Sequence, residues 1–192
     1  LKFKYPSEFF LALLRMTRNE PDPIGEISKI QKEMSYFGVK LLPPHIVKSK
    51  MDFSTEGNDI RFGLLSIKGI SDKSMEKLGK FKTEKSGKFN VFEAANEAGL
   101  NVGVLCALIQ AGALDGFKQS RTKVVYEAQF WNLLTEKEKI KCLELADQFD
   151  HDLVNVIKEL MTRKDEKGKP IIKESRIETL KKKSEAYKAI FN

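Results

Sequence analysis

Two cysteines, two histidines and a run of lysines around one glycine turn are the residues of this chain with chemistry to offer. Cys106 and Cys142 stand in apolar helical contexts without CxxC spacing, which suits buried thiols in a reducing compartment better than a disulfide or a metal site. His45 and His151 are too isolated to complete a zinc set with them, so no metal or other cofactor is expected in this chain. No nucleophile, base and orienting group occur at recognisable spacing, and no catalytic residue is assigned. What remains is Ile67-Lys68-Gly69-Ile70-Ser71-Asp72-Lys73, a glycine-centred turn between short apolar segments. A glycine turn that opens a helix can present backbone amides to a phosphate, and lysines beside it would favour that anion.

The elements that must position this turn follow from spacing. Pro6 opens a helix with Phe9, Phe10, Leu13 and Leu14 on one face, ending near Asn19. Glu20 to Pro23 cannot continue it. Ile24, Ile27, Ile30, Met34 and Phe37 mark a second helix closed by Gly38. Leu41-Leu42-Pro43-Pro44 reads as an extended segment leading away from that pair. Met51 to Thr55 and Ile60 to Leu64 alternate as a small β-hairpin should, about Glu56 to Asp59. Lys73 to Leu78 forms the helix after the turn, with Ile70 buried and with Met75 and Leu78 packing inward. Further helices are expected from Phe89 to Ala98 and from Val102 to Gln110, the latter stopping at Gly112. After Phe117 long helices dominate, Ser120 capping the first, with capping boxes at Thr135 to Glu138 and at Ser175 to Glu178. Lys167 to Pro170 is a polar turn between helices near 151 to 163 and 176 to 190. The expected fold class is mainly α, a helical bundle with tandem helix-hairpin-helix motifs and one small β-hairpin. The expected domains are 1–48, 49–125 and 126–192.

Charge narrows the partner. The 192 residues carry 34 Lys and Arg against 27 Asp and Glu, a formal +7, so an anionic partner is worth considering. Residues 51 to 118 hold nine basic and nine acidic side chains, which excludes a polycation and requires any site to be locally focused. Between residues 68 and 88 seven lysines oppose three acids, an excess of four, with Lys68 and Lys73 flanking the turn. The alternative for these lysines is a solvated face. Leu1-Lys2-Phe3-Lys4 shows neither a start methionine nor a signal sequence, and no apolar run approaches the roughly 20 residues that span a bilayer, so a cytoplasmic fragment without membrane contact is expected.

Ile67 to Leu78 matches a helix-hairpin-helix motif, with Ser71 where a second glycine is usual. Leu108 to Phe117 echoes it. In one order the chain also carries Tyr5-Pro6-Ser7-Glu8-Phe9-Phe10, Met34 to Gly38, Leu41 to Pro44, Phe62-Gly63-Leu64 and Leu108-Ile109-Gln110-Ala111-Gly112-Ala113-Leu114-Asp115. This series resembles the alpha subunit of bacterial DNA polymerase III where its fingers pass into a tandem helix-hairpin-helix region, over residues 1 to about 125. The resemblance implies a grip on the sugar-phosphate backbone of double-stranded DNA without sequence reading. It assigns Lys68, Gly69, Ile70, Ser71 and Lys73 in the first hairpin, and Gly112 and Ala113 in the second. Asp115 would repel phosphate unless it caps the next helix, so the second hairpin is read equally as a packing element. The nucleotidyltransferase chemistry of a DNA-directed DNA polymerase, with its divalent metal ions, would lie elsewhere in the parent. The remaining partners implied are the rest of that subunit and, through it, the sliding clamp. Gln129 to Leu134 resembles a clamp-binding peptide loosely and is better explained as a buried helix face. The resemblance does not extend beyond about residue 125, and residues 126–192 have no assigned role. Two alternatives stay open: a helix-hairpin-helix module of a repair or recombination factor, and a helical protein-interaction adaptor.

Overall fold

Proline and glycine punctuate the first helices as their backbone limits demand. In a computed structural model that describes residues 1–81 and 87–191, Pro6 stands in the first turn of α1 (Pro6–Met16), which buries Phe10 and Leu14. A 3-10 turn at Thr17–Asn19 follows, and Asp22 caps α2 (Pro23–Tyr36) by accepting from Gly25 N–H at 3.2 Å. Gly38, at φ +69, ends that helix. Phe10, Leu14, Ile27 and Met34 then meet Val39, Phe53 and Ile60 in one apolar core.

The chain divides into two compact units. The first comprises Leu1–Glu84 with Ala107–Gly116. Its sheet has three strands, β1 (Leu41–Leu42), β2 (Ser54–Glu56) and β3 (Asp59–Arg61), in the order β1-β3-β2. The expected hairpin is β2 and β3. Leu41 and Leu42, however, do not lead away: they pair in parallel with Ile60 and Arg61. Arg61 locks this corner with a bidentate pair to Glu56 at 2.7 Å and a hydrogen bond to the Pro43 carbonyl at 3.0 Å. That guanidinium holds the Glu56 carboxyl below its ordinary range. Ser7 donates to the Asn58 carbonyl and Arg15 to that of Phe53, tying α1 to the β2–β3 hairpin. Met75–Phe81 forms α3, also in this unit.

The second unit comprises Lys85–Cys106 with Phe117–Asn192. It contains α4 (Lys88–Glu97), α6 (Arg121–Trp131), α7 (Glu136–Leu145), α8 (Leu153–Thr162), α9 (Glu174–Lys183) and α10 (Glu185–Phe191). Helix α5 (Val102–Gln110) is divided between the units at Cys106. These divisions fall elsewhere than the sequence-drawn limits at 48 and 125, because packing joins the 38–62 segment to α1 and α2. Trp131 lies 5.0 Å from Phe89, and Phe130 lies 5.5 Å from Phe191, so α4, α6 and α10 share a core. Ser120 and the Thr135–Glu138 capping box start α6 and α7 as the sequence indicates. The second expected box is corrected. Helix α9 begins at Glu174, with Lys173 at its cap position, so Ser175 is already inside it. The final helix is also broken, at an extended Ser184, into α9 and α10.

Candidate nucleic-acid interface

The first hairpin is closed by one backbone bond. Ile70 N–H donates to the Ile67 carbonyl at 3.1 Å across Lys68 and Gly69. Gly69 occupies the third position of this turn with φ +92, where a side chain is strained. A Cβ there would meet only Ala107 Cβ at 3.5 Å, an ordinary contact, so backbone conformation rather than crowding calls for glycine. Ser71 is extended, Asp72–Ser74 forms a 3-10 turn, and α3 follows. Among the described residues the N–H groups of Gly69, Ser71, Asp72 and Lys73 make no internal hydrogen bond. Lys68, Gly69, Ser71 and Lys73 are exposed, whereas Ile70 is buried and anchors the turn from below.

Two expectations about this motif are corrected. The segment before the hairpin is a single 3-10 turn, Leu64–Ser66, rather than a helix. Met75 is 45% exposed. Leu78 and Phe81 are buried on α3, and at 100° per residue Met75 falls about 120° from Phe81, outside a narrow apolar stripe.

The charge around the turn also differs from the linear count. Asp72 is ion-paired with Arg18, which follows α1 and is 54 residues distant in sequence, a partner that sequence reading missed. Lys80 pairs with Glu76 at 3.1 Å. Lys68, Lys73 and Lys77 have no carboxylate partner among the described residues. Lys82 and Lys85 lie outside the described residues. Lys88, counted in the basic set, is only 3% exposed and pairs with Glu127 at 2.6 Å, so it cannot contribute to a surface.

The second hairpin is built differently. Gly112 (φ +85) donates to Ile109 and Ala113 to Leu108, the two bonds of a Schellman motif that ends α5. Ala113 is 1% exposed, and its carbonyl accepts from Ile46 N–H at 2.9 Å. Ser120, not Asp115, caps α6. Ala113 is therefore a buried anchor, while Gly112 is half-buried in the turn that ends α5. Lys68 and Ala111 nevertheless line one groove of about 410 Å³, so the two hairpins stand side by side.

Phe130 and Trp131 of the loosely clamp-like peptide are 0% and 2% exposed, as a buried helix face requires. No group of three His, Cys, Asp or Glu able to hold a metal occurs among the described residues, and none of their helices is long and apolar enough to cross a membrane.

The helix-hairpin-helix motif family matches residues 38–124, the stretch that contains both hairpins. The chain thus carries a helix-hairpin-helix segment within a mainly helical fold with a small sheet. It is more particularly similar to DNA polymerase III subunit alpha from several bacteria. It is 34% identical to that of Aquifex aeolicus over 130 residues, covering 65% of this chain and 11% of the relative. The Halalkalibacterium halodurans subunit is 32% identical over 64% of this chain and 11% of its own length. The Deinococcus radiodurans subunit is 33% identical over 61% and 9%. The chain spans about a tenth of the length of these relatives. The resemblance to the polymerase alpha subunit, carried on short motifs in the sequence, holds at the level of whole aligned segments.

Proposed function

We propose that the chain binds the phosphate backbone of double-stranded DNA without reading sequence, as a non-catalytic part of a replicative DNA polymerase III alpha subunit. The observation that carries this reading is the exposed Gly69 turn. Its Ser71, Asp72 and Lys73 amides are unpaired among the described residues, and Lys68 and Lys73 flank it without carboxylate partners. Amides fix the position of a phosphate and lysines supply the sequence-independent attraction. Arg18 serves by neutralising Asp72, which would otherwise oppose the anion. Gly112 and Ala113 support the turn from the second hairpin rather than touching DNA.

The polymerase reading is favoured over an isolated repair module by length. The polymerase matches run 121 to 130 residues, beyond the extent of the motif family match at 38–124. Polymerization, with its divalent metal ions, and any contact with a sliding clamp would then belong to other parts of the longer chain. The role here is to hold the primer-template duplex.

Fluorescence anisotropy against duplexes of unrelated sequence, titrated with salt, tests this. Binding should be similar for all sequences, with log affinity falling by about 0.9 per phosphate contact per decade of salt. Lys68→Glu with Lys73→Glu should lower that slope by about 2. An unchanged slope refutes the assignment.

A further inference from the structure

We infer that the turn at residues 163–173 is a second phosphate-contacting surface for nucleic acid, outside the segment that resembles the polymerase. This rests on the DNA-binding reading above for the class of anion. The argument starts from where the tail keeps its charge. Residues 126–192 carry fourteen basic and thirteen acidic side chains, but 163–173 alone carries five basic and two acidic, leaving the rest acidic on balance. A solvated face would spread its charge, whereas this tail concentrates it on one turn.

Pairing separates the same residues. Outside the turn five of the tail's nine cations pair with carboxylates, Lys139 with Glu136, Lys141 with Glu144, Arg176 with Glu138, Lys181 with Glu178 and Lys188 with Glu185, and within it Arg163 pairs with Glu159. Lys164, Lys167, Lys169 and Lys173 have no carboxylate partner among the described residues and are exposed.

The turn is also built rather than loose. Asp165 N–H donates to the Lys169 carbonyl at 2.7 Å, Gly168 N–H to the Asp165 carbonyl at 3.0 Å, and Ile171 N–H to the Arg163 carbonyl at 3.0 Å. The Asp165 carboxylate accepts from the Lys167 and Lys169 amides at 2.9 and 3.0 Å, so its charge is spent internally on shaping the turn. Gly168 takes φ +75 to close it, and Ile172 is buried beneath. At the base lies a recess of about 300 Å³ whose lining includes Lys141, Arg163 and Lys164 against the single carboxylate of Glu144. Exposed lysines on a hydrogen-bonded turn, with Lys164 lining the recess and no aromatic group for base stacking among its lining residues, favour the backbone phosphates over the bases.

The test uses the full chain with Lys164→Gln, Lys167→Gln and Lys169→Gln combined, since no hydrogen bond of the turn uses those side chains. Anisotropy is read against a duplex and a single strand of equal length. The variant should lower the salt slope by about 2 to 3 for duplex, or about 2 for single strand, and weaken binding on the order of 100-fold at 0.1 M salt. The probe whose slope falls by the amount stated for it identifies the source of the phosphates. Lys181→Gln, Lys182→Gln and Lys183→Gln combined removes equal charge elsewhere and should change the slope little. Equal loss in that control, an unchanged slope in the turn variant, or competition by polyglutamate as effective as by DNA overturns the inference. Loss in the Lys68 and Lys73 variant with none in the turn variant leaves the hairpin reading standing alone. The converse result removes the hairpin reading and leaves the turn.

Discussion

Removing either partner of the Lys88–Glu127 pair should destabilise the second unit far more than removing both. Lys88 is 3% exposed and Glu127 0%, with Nζ and Oε2 2.6 Å apart. Gln119 accepts a further hydrogen bond from Lys88, and Leu153 N–H reaches Glu127 Oε2 at 3.4 Å. Glu127 Oε1 has no partner among the described residues. Burial pushes the Glu127 carboxyl up and the Lys88 ammonium down, against their mutual attraction, so each charge is tolerated because the other is present. Lys88→Met should therefore cost about 3 to 5 kcal/mol near pH 8, the cost of an uncompensated buried charge. The double variant Lys88→Met with Glu127→Leu should fall near the parent or above it by about 1 to 4 kcal/mol.

The single variant should also acquire a pH dependence of known sign. Without its cation, Glu127 has a folded pKa further above its unfolded value, so stability is present below the unfolded pKa and lost as pH rises through the folded one. Lys88→Met should then be least destabilised near pH 4 to 5. Urea unfolding followed by Trp131 reports on this unit, since Trp131 is the sole tryptophan and packs against Phe89 at 5.0 Å. A loss of 3 kcal/mol corresponds to roughly 12 to 24 °C in Tm for a unit of this size. Single-variant costs under about 1 kcal/mol, or a double variant worse than either single, would refute the reasoning.

Three shorter predictions bear on the site and its support. Gly112→Ala should cost about 1 kcal/mol or more through its positive φ yet leave the DNA salt slope unchanged, and a changed slope would make that hairpin a DNA contact. Cys142, whose thiol burial pushes to about 12, should resist a thiol-reactive dye at pH 8 until the protein unfolds, and rapid native-state labelling would contradict its burial. Burial raises the Glu138 carboxyl, but the Arg176 guanidinium and the Thr135 amide more than reverse this and leave it below its ordinary range. That contribution is present above the unfolded carboxylate pKa near 4.3 and lost as pH falls through the folded one. Arg176→Met should accordingly shrink the loss of stability between pH 5 and pH 3, measured by urea titration, and an unchanged profile would discount the pair.

Local rules were legible where local atoms decide. Pro6 and Gly38 bracket the first two helices, Val102–Gln110 is a helix with the bounds read from the sequence, and Thr135 to Glu138 closes its capping box. Ile70 is buried as expected, though a 3-10 turn rather than a helix precedes it. The failures share one cause, that a distant segment chose between locally equal options. Ser175 to Glu178 has the same box spelling as Thr135 to Glu138. Arg176, however, reaches the Leu133 carbonyl and Glu138, and the helix begins earlier at Glu174. Leu41 and Leu42 are extended as expected, but only the position of Ile60 and Arg61 makes them a strand.

The same distinction explains why counting charges along the sequence misdescribes the surroundings of the candidate site. A lysine contributes to an anion site only if no carboxylate answers it and water reaches it, and neither condition is written in its neighbours along the chain. Lys88 fails both through Glu127, 39 residues on, while Asp72 is neutralised by Arg18 from the opposite direction. The two changes remove one counted cation and one counted anion, leaving the local balance nearly as the sequence suggested while altering every contact behind it. Mutating lysines by position in the sequence would therefore mix surface cations with a structural one. Separating Lys68 and Lys73 from Lys88 is what lets a salt titration report on phosphate contacts rather than on folding.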